Sequence, residues 1–473
     1  MSAVLPPLSA GSLPAQRASA AAARVRFRRA VTLIAMTVIA PGTAQIAAGN
    51  KRVGRVALRC AVAGLIFVAT VVMLGFSWQT ELVVLFTKTW FLLLLRLGLI
   101  VYAVGWAYLI IDAWRIAEPL GLARGQRVFM TALNGTLCFS VSGALLFASH
   151  IVAVQQDFIT SVFGGDEVSN AEHGRYNVLL LGGDAGPARV GIRPDSVTVA
   201  SIDEDTGRTV LLGLPRNLAD VPFPDGSAMD KAFPDGFNCD GCYLNAINTW
   251  ATDHPDLFPG VKNPGIEATT QAVEAITGLS INYYVLIDLK GFQDLVDAVG
   301  GVTVNVSERI PIGGVGGAIT GWIEPGRQHL DGFDTLWFAR SRATSDDYSR
   351  MARQKCVMNA MLHQLDPKTV ITNFGDIAKA GKQIISTSIP ASEVATFVNL
   401  SMKTKDLPMS TVSFVPPKIN TGDPDFELIR TMVTGAVEAS QAKDDGTGAA
   451  AHQGHKKKRH HDANDSGDLS GSC

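Results

Sequence analysis

Acids and arginines gather where predicted strands end in one short stretch of this sequence. From Tyr176 to Asn217 the chain reads YNVLLLGGDAGPARVGIRPDSVTVASIDEDTGRTVLLGLPRN. The apolar runs 177–181, 197–202 and 209–214 are leucine-rich or β-branched, are bounded by Gly, Pro and Asp, and are too short for helices. They predict buried strands, each adjoining a short loop that carries Asp184, then Arg193 and Asp195, then Arg216. In an open α/β sheet, ligands bind in the crevice outside the carboxyl ends of the strands. Carboxylates mixed with guanidinium groups there suit metal-bound phosphate, because carboxylates hold Mg²⁺ while arginines make bidentate contacts to phosphoryl oxygens.

A second cluster lies further along, in DGFDTLWFARSRATSDDYSRMARQKCVMNAMLHQL. Arg340 and Arg342 come first. In the helix predicted to follow, Asp347, Arg350 and Gln354 are spaced i, i+3, i+7 and so share one face. Met351, Val357, Met358, Met361 and Leu362 supply an apolar face for packing. A charged stripe on an arbitrary helix is a solvated face with local ion pairs. Beside the first cluster it reads instead as the second wall of an anion site.

Taken in order, the segments LLLGGDAG, RPDS, LPRN, YLNAI, YYVLIDLKGFQDLVDAVGGV, HLDGFDTLWFARSR and DDYSRMARQ resemble the LytR-CpsA-Psr family of cell-envelope phosphotransferases over residues 175–437. No single segment is specific, but all occur in family order. The resemblance implies an α/β domain with a mixed central sheet and helices on both faces. It implies that Asp184 and Asp195 are carboxylate ligands of Mg²⁺ (or Mn²⁺). Arg193, Arg216, Arg340, Arg342 and Arg350, with Gln354, would surround a pyrophosphate, and Asp347 would order that set. The catalytic group drawn from these is Asp184, Arg193, Asp195, Arg216 and Arg342. The implied reaction moves a polyprenyl-diphosphate-linked glycopolymer onto a hydroxyl of peptidoglycan. Departures from the family pattern are RPDS where RSDT is common, Asn217 where an acid follows Pro-Arg, and Leu244 where a lysine precedes Asn-Ala. They bear on substrate preference and affinity more than on reaction type.

The 473 residues suffice for one large domain, a membrane region and tails, and a formal net charge of −2 argues against nucleic acid as a whole-protein partner. Residues 56–76, 90–112 and 128–154 are each apolar and long enough to cross about 30 Å of hydrocarbon at roughly 1.5 Å per residue. Lys51, Arg52, Arg55 and Arg59 lie at the start of the first span, and Arg115, Arg124 and Arg127 lie between the second and third. Short cytoplasmic loops accumulate such residues. The loops 49–55 and 114–127 are therefore expected inside, with 77–81 and the chain after 154 outside. A fourth apolar stretch, 31–48, is broken by Pro41-Gly42 and has basic residues on both sides, including Arg24, Arg26, Arg28 and Arg29. An interfacial or re-entrant hairpin fits it better than a span with an outward N terminus. Arg96 lies near the outer end of its span, where its side chain reaches the interface by snorkelling. The Arg-rich start is not followed by one short apolar run and a small-residue cleavage site, so permanent anchoring is expected rather than a cleaved signal.

The chain thus divides into a basic cytoplasmic arm (1–29), an all-α membrane region (30–154), a polar linker (155–174), the extracytoplasmic domain (175–437) and a tail (438–473) whose Gly, Ala, His, Lys, Asp and Ser content predicts disorder. Within the domain, helices are predicted at 265–277, 292–299, 351–365, 370–385, 392–401 and 427–438. Strands are predicted at 283–289, 302–306 and 411–415. Strands and helices mixed in this way build a sheet with helices on both faces.

Cys60 and Cys138 lie in spans and act as small apolar residues. Cys239, Cys242 and Cys356 are external, where disulfides persist. The Cys239–Cys242 pair reads as a loop staple in preference to a zinc half-site, which lacks a second pair of ligands, though Cys356 remains a possible partner for either. Cys473 is expected to be unpaired. The glycines at 313–317 lack the Gly-Lys-Ser/Thr of a phosphate loop, and LLGGDAG is not a dinucleotide fingerprint. Without a Gly-x-Ser-x-Gly elbow, Ser196 is a poor hydrolase nucleophile. Hydrolysis of the lipid diphosphate, or a non-enzymatic regulator in the membrane, remain as other classes of function.

The charge bias makes a direct prediction. An impermeant thiol reagent applied to intact cells should label Ala171→Cys and spare Ala123→Cys, and labelling of Ala123→Cys alone would invert the topology.

Overall fold

The computed structural model describes residues 12–77, 85–165, 167–184, 193–314, 317–364, 385–442, 463–466, 468–471 and 473. They fall into two units, Met1–Gln156 and Asp157–Cys473.

The first unit is helical: α1 (Ser12–Ile39), α2 (Thr43–Ala47), α3 (Lys51–Ser77), α4 (Thr89–Ile116) and α5 (Arg124–Val162), whose residues from Asp157 on belong to the second unit. Three stretches, Lys51–Leu74, Thr89–Gly121 and Arg124–Val162, are long and apolar enough to cross a membrane. Their large apolar side chains face outward, with Leu65 and Val101 each 70% exposed and Phe139 83%. Such a surface suits burial against lipid. The stretch expected as a hairpin over 31–48 differs in shape. α1 runs on to Ile39, turns at Pro41-Gly42 and continues as the short α2. Gly42 sits at φ 97°, and a Cβ there would stand 2.3 Å from the Gly54 carbonyl oxygen, so glycine alone lets α3 approach the turn. Gln45, buried in α2, satisfies its amide nitrogen on the Leu109 carbonyl at 3.1 Å.

The second unit is an α/β domain. Its strands are β1 (Arg175–Asp184), β2 (Arg193–Asp203), β3 (Thr209–Leu214), β4 (Tyr283–Asp288), β5 (Val302–Val306), β6 (Ile310–Gly313), β7 (Ile319–Ile323), β8 (Gly326–Leu330), β9 (Ile385–Thr387), β10 (Ser410–Ser413) and β11 (Asp465–Ser466). Its helices are α6 (Ala228–Ala232), α7 (Ile247–Asp253), α8 (Pro264–Thr277), α9 (Leu289–Ala298), α10 (Gly332–Arg340), α11 (Asp347–Gln364), α12 (Val394–Lys405) and α13 (Phe426–Ala442). Seven strands form the central sheet in the order β11-β10-β3-β2-β1-β4-β9. It is mixed: β1 with β4 and β3 with β10 pair in parallel, and the other neighbours are antiparallel.

Side-chain alternation explains why both faces are covered. Leu179, Leu181, Val197, Val199, Val210, Leu212 and Leu214 point into one core with Ala272, Val273, Ile276, Ile429 and Val433 from α8 and α13. Leu180, Ala200 and Leu211 point the other way, onto Ala352, Cys356, Met358 and Leu362 of α11. A further core joins Val357, Ala360 and Met361 of α11 to Val302, Val304 and Leu330 of the β5–β8 ribbon. The apolar face predicted for α11 is therefore split between two cores, with the helix wedged between them.

Two boundaries differ from the expected ones. The linker 155–174 is helical to Val162 and then pinned, since the Ser169 amide donates to the Tyr283 hydroxyl at 2.8 Å and Asn282 Nδ2 donates to the Asn170 carbonyl at 2.8 Å. The expected disordered tail is helical through Ala442, and Asp465–Ser466 return to the sheet as β11 beside β10. Cys473, expected free, is bonded to Cys356, while Cys239 bonds Cys242 as anticipated. Composition could not see this, because the return is fixed by a covalent bond and by Asn464, whose Oδ1 accepts from the buried Lys355 ammonium at 3.2 Å. The predicted helix 370–385 lies outside the described residues apart from Ile385, which opens β9, and so does the tail between 443 and 462.

The two bridges close loops of very different length, 117 residues for Cys356–Cys473 and 3 for Cys239–Cys242. Loop-closure entropy predicts that Cys473→Ser destabilises the domain by about 2–4 kcal/mol and Cys239→Ser by less. Thermal unfolding of the two variants, with free thiols counted by mass spectrometry, checks the ranking, and an equal loss would refute it.

Candidate functional site

Topology brings the first cluster together. β1, β3, β4 and β10 run one way and β2 the other, so the carboxyl ends of β1 and β3 and the amino end of β2 share one edge of the sheet. Asp184 closes β1 opposite Arg193, which opens β2 and is exposed. The Asp184 side chain and residues 185–192 lie outside the described part of the structure. Next to this pair the register slips: Gly182 faces Ser196 and Gly183 faces Pro194, which leaves Asp195 as the extra residue of a bulge. A bulge re-aims the side chain it carries. Asp195 meets Arg216 just past the end of β3, and Arg216 Nη1 donates to Asp195 Oδ1 at 2.6 Å.

The second cluster closes on the first through the start of α11. Asp346 caps that helix, its Oδ1 accepting from the Ser349 amide at 2.7 Å. Its neighbour Asp347 then faces the arginines. Oδ1 of Asp347 lies 3.4 Å from both Arg216 Nε and Arg342 Nη1, and Oδ2 lies 3.1 Å from Arg350 Nη2. Arg350 Nη2 also donates to the Asp195 carbonyl at 2.7 Å, so α11 and β2 are joined directly. Arg340 and Gln354 are placed differently. The Arg340 guanidinium lies over the Trp337 ring, 5.1 Å from its centroid, and Gln354 Nε2 donates to the Ala339 carbonyl at 3.2 Å.

Several residues that hold the site were not visible in the sequence. Arg353 Nε donates to the Phe338 carbonyl at 2.7 Å and its Nη2 to the Ser341 carbonyl, which fixes the segment bearing Arg340 and Arg342. Thr421 Oγ1 accepts from Asn217 Nδ2 at 3.2 Å and lies 3.2 Å from the Tyr348 hydroxyl, linking the neighbours of Arg216 and Asp347. Asn217 is thus a positioning amide. Leu244, where a cation was expected from the family pattern, is fully buried in the apolar core.

Three guanidinium groups against two carboxylates leave this set net positive. The Arg350 side chain is 4% exposed. Burial lowers its pKa against the opposing pull of Asp347 and Asp195. For Asp195, burial pushes the carboxyl up, but the hydrogen bond from Arg216 and the charges of Arg216, Arg350 and Arg342 together outweigh it and hold the group below the ordinary carboxylate range. The Nε atoms of Arg216 and Arg350 are buried without a hydrogen-bond acceptor among the described residues. The guanidinium groups open to an oxyanion are those of Arg216 and Arg342, whose side chains are partly exposed. The donors also fit a divalent cation: Asp195 is an ionised hard-oxygen ligand at a strand end, and Mg²⁺ bound to phosphates needs only one or two carboxylates. Among the described residues no group of three or more His, Cys, Asp or Glu forms a self-sufficient metal cage.

A family model, that of the LytR_cpsA_psr family, matches residues 151–424. The chain belongs to this family. Among curated relatives, it is 29% identical over 233 residues to the polyisoprenyl-teichoic acid–peptidoglycan teichoic acid transferase TagU of Oceanobacillus iheyensis, a match covering 48% of this chain and 63% of that protein. It is 30% identical over 132 residues to TagU of Bacillus mycoides, covering 28% and 41%. The chain therefore spans less than two thirds of the length of these relatives. Solved structures that resemble it include B. subtilis TagV, with 22% identity and a TM-score of 0.42 over 56% of this chain and 98% of that one. Another is TagT bound to LI-WTA, with 16% identity and a TM-score of 0.38 over 57% and 94%. Within the LytR_cpsA_psr domain described above, the arginines and acids of both clusters fall inside the matched residues.

Asp347 is the carboxylate shared by Arg216, Arg342 and Arg350, so Asp347→Asn should cost about 2–3 kcal/mol by leaving Arg350 buried without an acidic side chain beside its Nη2. The Asp195 pair follows a separate rule. Its folded-state pKa is depressed, so its contribution is complete at neutral pH and is lost as pH falls through that lowered value. Unfolding of wild type and Asp347→Asn at neutral pH tests the bridge; equal stability would rule it out.

Proposed function

We propose that the domain transfers a glycopolymer from a polyprenyl-diphosphate carrier to a hydroxyl of peptidoglycan. The observation that carries the reading is the set Arg216, Arg342 and Arg350 around Asp347 and Asp195, in which the partly exposed guanidinium groups of Arg216 and Arg342 face solvent and are open to an anion. The names of the TagU relatives, polyisoprenyl-teichoic acid–peptidoglycan transferases, support the same class of donor and acceptor. The basic residues flanking the apolar helices support a membrane protein whose domain faces outward, at the bilayer surface where a lipid-borne diphosphate sits.

In this reaction the acceptor oxygen attacks the phosphorus that bears the glycan. A P–O bond forms there, the P–O bond to the bridging oxygen breaks, and polyprenyl phosphate leaves with the bonding electrons. The acceptor proton passes to a base that the site does not single out. Arg216 and Arg342, partly exposed and anchored by Asp347, orient the phosphoryl oxygens, and buried Arg350 holds the Asp195 backbone in place beneath them. Charge that builds on the transferred phosphoryl and on the departing phosphate is stabilised by these preset donors. Arg193, at the mouth of β2, and Arg340 add positive charge nearby. Asp184 and Asp195 would hold Mg²⁺ or Mn²⁺, which supplies Lewis-acid stabilisation of phosphoryl oxygens when bound.

Arg216 distinguishes a site from a structural ion pair. Lysine keeps the charge facing Asp195 but removes the planar fork. Arg216→Lys should therefore lose roughly a hundredfold in transfer rate, about 2.7 kcal/mol, with the fold intact. Asp195→Asn should lose activity and blunt the response to added Mg²⁺. The assay is transfer of lipid-linked glycan to peptidoglycan by the purified full chain across a Mg²⁺ titration. Near-normal turnover in Arg216→Lys with an unchanged metal response in Asp195→Asn would sink the site, and glycan released only into solution would make the enzyme a hydrolase.

A further inference from the structure

The membrane unit holds a groove of about 470 Å³ between the first turns of α3 and the second half of α4, floored by Pro41 at the α1–α2 turn. Its walls are apolar, from Val56 and Ala57 on α3 to Val101 and Leu109 on α4, and a groove of this size accommodates a small ligand or one chain of a larger one. Two features are not those of a plain lipid-facing cleft. Arg52 is the one charged residue in the lining, and it has no acidic partner among the described residues. Trp106, also in the lining, keeps a buried Nε1 donor without an acceptor among the described residues. Tyr102 cannot answer either need, because its hydroxyl donates to the Cys60 carbonyl at 2.6 Å.

We infer that this groove is a binding site for one anionic glycerophospholipid. The headgroup phosphate pairs with Arg52, an ester carbonyl accepts from Trp106 Nε1, and an acyl chain fills the apolar walls. Charge complementarity selects the occupant. Lys51, Arg55 and Arg59 share the opening turns of α3 with Arg52, a concentration of basic residues that marks the cytoplasmic leaflet, where anionic lipids supply the matching charge. A neutral phospholipid would fill the walls equally well but would leave Arg52 facing a zwitterion. The site rests on α3 and α4 crossing the membrane and is independent of the chemistry proposed for the second unit.

Gly105 offers the cleanest perturbation. It lines the groove, and a Cβ there meets nothing from neighbouring segments within 4 Å, so Gly105→Leu projects into the cleft without displacing a packed neighbour. The full chain is reconstituted in nanodiscs of equal phosphatidylglycerol and phosphatidylcholine, and lipids retained on release are counted by native mass spectrometry. One phosphatidylglycerol per chain is expected, favoured over phosphatidylcholine by about fivefold, the attraction of one basic residue for an anionic surface. Arg52→Gln and Gly105→Leu should abolish the preference, and Arg115→Gln, outside the lining, should keep it. A readout without variants uses the free thiols: alkylation of Cys60, in the groove, should be slowed by phosphatidylglycerol relative to Cys138 in the same molecule. Equal retention of the two lipids, or an undiminished preference in Gly105→Leu, would overturn the site while leaving the membrane assignment standing. Release of the chain from membranes by alkaline carbonate would overturn both.

Discussion

Everything in the domain that bears on chemistry depends on one carboxylate. Asp347 accepts three guanidinium groups, and those groups arrive from three parts of the chain: the loop after β3, the segment between α10 and α11, and the body of α11. Like charges gathered this closely repel one another, and two of them are partly desolvated, so without a central anion the arginines would swing apart toward water. A single acid in the first turn of a helix solves the problem for all three. Its placement is itself supported, since Asp346 takes over the capping of α11 and leaves Asp347 free to turn inward.

The sheet supplies the other half of the constraint. Because β1 and β3 run together and β2 runs against them, acids and arginines far apart in sequence reach the same edge. The bulge then singles out Asp195, which would otherwise follow the regular alternation of β2, and turns it toward Arg216. α11 contributes by being wedged between two cores: its apolar residues divide between the sheet and the β5–β8 ribbon, which leaves the helix no freedom to roll. Arg350 and Arg353 are buried for the same reason, on a helix with no fully solvated side in its first half.

Much of this was legible before any coordinates. Runs of β-branched and leucine residues gave β3 its bounds, and the helix read at 265–277 ends as α8 does, where Gly278 at φ 70° closes it. The acid and arginine positions were visible because strand ends and a helix face restrict where a side chain can go. Other features were not, for physical reasons. Asp195 in a bulge depends on a pairing register with a distant strand, and Thr421 joins Asn217 to Tyr348 across about two hundred residues of chain. The family resemblance implied that Arg340 and Gln354 belong to the anion site; in the structure one lies on Trp337 and the other holds Ala339. The tail misled most, since a polar, glycine-rich composition says nothing of the one cysteine and one asparagine that fix its return.

That return has a consequence for the molecule's durability. The bridge from Cys356 to Cys473 encloses β9, α12, β10, α13 and β11 in one covalent ring attached to the helix that carries Arg350. A protease that cuts the backbone anywhere inside the ring opens it but frees no fragment. A nicked domain therefore keeps all its parts at hand and can retain its shape, and shedding a piece takes a second cut or a reductant.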